Sequence, residues 1–286
     1  MSEPIKLSKQ AQDVAIHLAE LLKGKTIEVP MLPDVASRVL SLSNSQDSDA
    51  GQLAKLIQSD QALAGHVMRI ANSAAYSPNS SLVSLQQAIA RLGMGLISEI
   101  ALAASVNAKL FKAPGYEKRI VDIWVHALAT ALWGKEVARV AKKNVEASFL
   151  CGLLHSIGRP VILQSIAEYS GQKKLVITEQ ESLLLEQRFH VLFGSQIVDK
   201  WEMPVIVREA VLHYQHYQQA KSNMDQAMIV YAGTQLATAM LWPETVSLEL
   251  VMHSEVFADL NLYDDDLERL LAQTDKVKAG LEAMKS

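Results

Sequence analysis

Apolar residues recur at helical spacing along almost the whole of this chain, and no segment shows the alternation of a half-buried strand. Val14, Leu18, Leu21 and Leu22 mark one face of a first helix that stops near Gly24. After a Pro-bearing connector over 29–33, Asp34 is placed to cap a helix reaching Leu42. Ser48 can cap the helix carrying Leu53, Leu56 and Ile57, and Asp60 the one carrying Leu63, Val67 and Ile70. Ser84 with Gln87 fits a capping box ahead of Ile89 and Leu92, and Gly93 suits the position just past that helix. A further helix over about 95–111 completes the series. The pattern predicts an all-α fold.

Ala113-Pro114-Gly115 punctuates the chain and sets the expected boundary between an N-terminal helical lobe, 1–112, and a second lobe, 113–286. The second lobe is expected to open with a long helix through Trp124, His126, Leu132 and Val137. Next come an apolar helix ending at His155, a break at Gly158-Arg159-Pro160, and a helix to about Tyr169. Separate helices over 179–190 and 190–201 are expected, then 204–214 and 225–241. Two short helices complete the tail, the last capped by Asp264-Asp265-Asp266.

Composition excludes several classes of function. Charged residues make up 20% of the chain and the net charge is -4, with no basic stripe, so nucleic acid is not an expected partner. Lys142-Lys143 and Lys173-Lys174 read as solvated surface pairs. A single cysteine cannot close an internal disulfide, and Cys151 sits in an apolar run as a small core residue would. No window offers the ~18 uninterrupted apolar residues of a membrane span, and the N-terminus has no apolar signal core. A cytoplasmic protein without a membrane partner is expected.

Several segments share an order that resembles the HDOD domain, a bacterial signalling relative of the HD phosphohydrolases. They are the stretch 32–42, Leu56-Ile57-Gln58-Ser59-Asp60-Gln61-Ala62-Leu63, and the turn Arg69-Ile70-Ala71-Asn72-Ser73-Ala74-Ala75-Tyr76. Ser84 to Gly93 follows, then Trp124-Val125-His126, Gly152-Leu153-Leu154-His155 and Trp201-Glu202-Met203-Pro204. The resemblance covers about 24–219. It implies a two-lobe helical HDOD fold with a degenerate, HD-domain-like second lobe.

The same resemblance implies a pocket. His126 matches the first histidine of the HD superfamily and His155 the second, with Ser156 standing where that family has its aspartate. His190 matches a further histidine of related hydrolases. His213 matches the first of a His-His pair whose second member here is Tyr214, and Thr234 falls at the last acidic position. Hydroxyls in both acidic places cannot offset divalent charge, bridge two cations or activate water. No metal or other cofactor is therefore expected. If the four imidazoles held an ion, it would be one zinc-like or nickel-like cation.

Arg159 is either an anion contact in the old phosphate site or a cap on helix carbonyls. Asn72, Ser73 and Tyr76 are either a helix end closed by side-chain hydrogen bonds or a partner contact with Tyr76 as anchor. His17, His66 and His216 read as surface or polar-face residues, and Gly152 as a close helix contact.

The resemblance implies a non-catalytic regulatory scaffold of bacterial signal transduction, working through signalling protein partners, with a homodimer as one option. A small-molecule ligand in the vestigial pocket would be its input. HDOD domains are often joined to receiver or cyclic-dinucleotide domains, for which 286 residues leave no room, so the signal is expected from a separate partner. The competing reading is a metal-dependent phosphohydrolase acting on a nucleotide or phosphodiester. It needs a carboxylate from elsewhere, such as Asp122 or Glu209.

Overall fold

Helices account for every regular element in the computed structural model of the chain, which describes residues 7–43, 49–78 and 82–285. Ser8 caps α1 (Lys9–Gly24) by accepting from Ala11 N–H at 3.2 Å. Asp34 begins α2 (Asp34–Ser43) as its first residue and sits 3.7 Å from Arg38 one turn on. The cap expected of Ser48 lies outside the described residues, and Asp49 caps α3 (Ala50–Gln58). Asp60 caps α4 (Gln61–Ala71) as expected, and Ser84 caps α5 (Leu85–Leu92). Gln87 does not complete the box: its Oε1 accepts from Val83 N–H at 2.9 Å. Gly93 joins α5 to α6 (Met94–Ser105), which ends earlier than expected and is followed by a single 3-10 turn over Ala108–Leu110.

The second half opens with α7 (Glu117–Val140), the longest helix, then α8 (Val145–Leu154) and α9 (Gly158–Lys173). The two helices expected to meet at His190 are one, α10 (Glu179–Lys200), opened by a Thr178–Glu181 capping box. Leu185, Phe189, Phe193 and Ile197 keep one continuous buried stripe through the expected break. α11 (Val205–His213) runs into a 3-10 turn, Tyr214–Gln219, and then α12 (Met224–Leu241). The tail holds four helices rather than two: α13 (Leu248–Met252), α14 (Glu255–Asp259), α15 (Asp264–Leu271) and α16 (Thr274–Lys285). Asp264, Asp265 and Asp266 form the first turn of α15, where carboxylates suit the helix dipole, and not the cap of the last helix.

The two ends of the chain each cross the expected boundary at 112/113. α1 packs on α9 and α10, because Val14, Ala15 and Leu18 join the core built by Ile162, Ile166, Leu185 and Phe193. α15 and α16 pack on α7, where Lys276 pairs with Glu136 at 2.9 Å, and α16 also reaches α6. The stretch 145–173 has the length and apolar content of a membrane span, but 78% of its most apolar window is buried within the fold, as in a core helix.

Two glycines fix the crossings that matter most. A Cβ at Gly152 would lie 2.6 Å from the Ala131 Cα, so α8 rides on α7 backbone to backbone. At Gly158 an added Cβ would fall 2.1 Å from the His190 carbonyl oxygen and 2.6 Å from the Gly194 nitrogen. No side chain fits at that α9–α10 crossing. The two contacts hold α7, the end of α8, and α10 around one point.

Candidate ligand pocket

At that point lies a cavity of about 460 Å³. His126 comes from α7, His155 and Ser156 from the turn after α8, Arg159 from α9, Tyr214 from the turn after α11, and Thr234 and Thr238 from α12. Trp242 and Thr245, just beyond α12, form another part of its wall. Of the residues expected here, His126, His155, Ser156, Arg159 and Thr234 all line it.

His190 stands directly behind the wall and His213 does not face the cavity. α11 ends at His213 and the backbone tightens into the 3-10 turn at the next residue, which brings the Tyr214 ring inward in its place. His213 itself is half-buried. The offset is one residue, and it replaces an imidazole with a phenol.

Hydrogen bonds assign the tautomers. His155 Nδ1 lies 2.7 Å from the Gly152 carbonyl, and His190 Nδ1 lies 2.9 Å from the Glu186 carbonyl; carbonyls only accept, so each Nδ1 carries the proton. His190 Nε2 then accepts from the Tyr214 hydroxyl at 2.8 Å. Thr238 Oγ1 donates to the Thr234 carbonyl at 2.7 Å, so it accepts from His126 Nε2–H at 3.0 Å. Thr234 Oγ1 donates to the Tyr231 carbonyl. The His126 ring also stacks on Trp242, with centroids 5.5 Å apart and planes 13° from parallel.

Burial holds all three imidazoles neutral near pH 7. His126 and His190 are each pulled down to about 4, first by desolvation and then by the Arg159 charge. His155, only 2% exposed, is held well below its usual value by desolvation, with the neighbouring His126 adding to the effect.

The charged groups on the wall of this pocket are two guanidiniums, Arg119 and Arg159, and the Asp122 carboxylate. Glu186 is fully buried and takes both Arg119, at 3.1 Å, and Arg159, at 3.3 Å, on one carboxylate oxygen. Of the two roles open to Arg159, the structure places it facing the cavity, braced on a carboxylate. Neither Arg119 nor Glu186 is marked by any local motif. The available signal was a carboxylate on the apolar stripe of α10, between Ser182 and Phe189, where a charge is buried only with a partner. A larger cavity of about 720 Å³ adjoins the first and shares Arg119 and Asp122 with it.

These side chains do not fit the metal centre of a hydrolase. Among the described residues, no three His, Cys, Asp or Glu side chains converge as metal ligands. Ser156 and Thr234 supply neutral oxygens, His190 Nε2 is taken by Tyr214, and two guanidiniums oppose any cation. Of the two substitute carboxylates, Asp122 lines the cavity. Glu209 is bound elsewhere, accepting from Asn223 N–H at 2.9 Å and from the Ser222 hydroxyl.

The alternative contact residues in the first half turn inward. Asn72 Nδ2 donates to the Met68 and Leu82 carbonyls, and its Oδ1 accepts from Leu82 N–H at 2.6 Å, closing the end of α4. Tyr76 is half-buried and its hydroxyl lies 3.3 Å from where a Cβ on Gly280 of α16 would stand. The Ser73 hydroxyl is buried without a partner. The partner-contact reading of this trio loses its exposed anchor to the tail helix. Elsewhere, His17 stacks on Tyr169 at 4.1 Å, His66 contacts Arg69, and His216 is exposed.

Comparison with known proteins agrees with this fold. A protein of uncharacterised function from Treponema pallidum is 18% identical over 245 residues, which is 82% of this chain and 47% of the relative; the chain thus spans about half the length of the curated relative it matches. A structure from Shewanella amazonensis, provisionally named a metal-dependent phosphohydrolase, superposes with a TM-score of 0.75 at 21% identity, covering 96% of this chain and 100% of its own. An HDOD domain protein of unknown function from Geobacter sulfurreducens gives 0.73 at 20% identity, covering 96% and 98%. One from Marinobacter aquaeolei, provisionally named a signal transduction protein, gives 0.68 at 20%, covering 99% and 68%. At these identities the likeness shows the fold. The family model for the HDOD domain matches residues 29–217, two thirds of the sequence and most of the helices that build the pocket, and the chain belongs to the HDOD domain family.

Proposed function

We propose that this chain is a cytoplasmic, non-catalytic module of bacterial signal transduction that works through contacts with a partner protein. Its input is a small anionic ligand read in the cavity between α7, α10 and α12. One observation carries the reading: the positions that would hold cations present hydroxyls and neutral imidazoles, while Arg119 and Arg159 are braced toward the same space by a buried carboxylate. Such a site favours an anion, and no carboxylate stands at Ser156 or Thr234, where a hydrolase of this kind would hold its metal and activate water. The Trp242 face beside His126 adds a flat apolar wall for a ring-bearing ligand.

Titration calorimetry with a panel of nucleoside phosphates, followed by chromatography of the recovered ligand, tests this. Saturable binding that weakens in Arg159→Ala, with the ligand recovered intact, supports it. Turnover, or no binding by any phosphate, counts against it.

Asp122 favours a second reading, phosphohydrolysis. It lines the cavity one turn before His126, and the hydrogen bond of His155 Nδ1 leaves Nε2 of that ring free to ligate. Product formation that depends on added divalent metal and is lost in Asp122→Asn would favour the enzyme.

A further inference from the structure

A separate cleft of about 200 Å³ lies where α2 and α6 meet α8 and the start of α11. Its walls are apolar, including Leu102, Phe149 and Ile206. Four polar residues break that surface: Ser98, Glu99, Glu146 and Asn144, whose Oδ1 is taken by the Ala147 N–H at 2.9 Å. Ser98 is only 5% exposed, and among the described residues its hydroxyl has no hydrogen-bond partner. That hydroxyl opens onto the cleft, where a ligand group can pair with it.

Two carboxylates border the cleft, and one of them is paired. Glu99 is buried and paired with Lys135, which offsets one carboxylate. Glu146, in the first turn of α8, has no hydrogen-bond or ion-pair partner among the described residues. Its carboxylate lies over Gly95, with Oε1 3.4 Å from where a Cβ would stand, so it reaches across the cleft to α6. Burial raises the Glu99 carboxyl, Lys135 opposes that rise, the Glu146 charge adds to it, and Arg139, itself paired with Glu136, opposes it. One negative charge and one acceptor-donor hydroxyl therefore face a greasy space of small-molecule size.

We propose that this inter-lobe cleft binds a small organic monocation, a primary ammonium or guanidinium carried on a short apolar stem. The head sits between Glu146 and Ser98 Oγ, and the stem lies on Leu102, Phe149 and Ile206. A carboxylate or phosphate is repelled there, and a bare metal ion meets too few ligands and too much hydrocarbon. This site is independent of the anion pocket in chemistry, yet it shares a helix with it. α8 carries Glu146 at its start and delivers His155 from its end, so occupancy of the cleft bears on both lobes and on the placement of His155.

Ligand-observed NMR and calorimetry on the full chain, with butylguanidine and phenethylamine as probes and butyrate and butanol as controls, test the assignment. The amines should bind saturably and the controls should not. Glu146→Gln and Ser98→Ala should each weaken the amines about tenfold, a change of the size that losing one charge-assisted contact produces. Glu146 is exposed, so the E146Q chain keeps its fold, and its result stands even if S98A melts early. No amine binding overturns the site, as does binding that survives E146Q. Binding of an acetylated Leu-Arg-Leu peptide without binding of the free amines overturns the small-molecule occupant.

Discussion

The Tyr214 hydroxyl donates to Nε2 of His190 across 2.8 Å, so the ring nitrogen that a hydrolase would offer to a metal is occupied by a phenol. Both groups are almost fully buried. Tyr214→Phe therefore leaves a lone pair unmatched inside the protein and should lower stability by about 1–3 kcal/mol in chemical denaturation. A Tyr214→Phe chain as stable as the wild type would show that the bond contributes nothing.

Glu186 braces both guanidiniums of the pocket from a fully buried position. Glu186→Gln strips them of their counter-charge. Because Arg119 and Arg159 keep some access to water, the expected loss is about 2 kcal/mol, below the ~3–5 of a wholly buried pair. Urea midpoints of the two proteins measure it.

The helix crossing at Gly158 admits no side chain. Gly158→Ala should cost about 1–3 kcal/mol or more, since backbone on α10 has to move, whereas Gly171→Ala, with nothing within 4 Å, should cost almost nothing. Equal effects at the two positions would contradict the packing described for α9 and α10.

Acidification should destabilise the fold through its imidazoles. His126 and His190 take a proton in the folded chain only near 4, against 6.5 when unfolded. Between those values the unfolded state binds more protons, so stability is full above 6.5 and is lost as pH falls toward 4. Thermal melts at about pH 7 and about pH 5 should show the decline, and His190→Gln should make it shallower. An unchanged slope in that variant would remove His190 from the explanation.

Much of this architecture is legible in the sequence because helices announce themselves locally. Asp60 and Ser84 cap the helices they precede, and the apolar stripes of α3 and α4 face the core as their spacing implies. The site is legible only in part. His126, His155, Ser156 and Thr234 share the cavity, as the order of motifs implies. The exchange of His213 for Tyr214 depends on how α11 unwinds, which one-residue spacing does not reveal. Arg119 and Glu186 meet across 67 positions, and Trp242 stacks on His126 from beyond the family segment. Such pairings are set by helix crossings at Gly152 and Gly158, not by neighbours in the chain.

The most direct test of the proposal that this pocket takes an anion and not a metal ion is its metal content. Untagged protein purified without chelator, then loaded with zinc, nickel or manganese and desalted, would be assayed by elemental analysis beside His155→Ala. Both proteins should hold far less than one ion per chain. One ion per wild-type chain, lost on His155→Ala, would contradict the proposal and restore a metal centre around His126, His155 and Asp122.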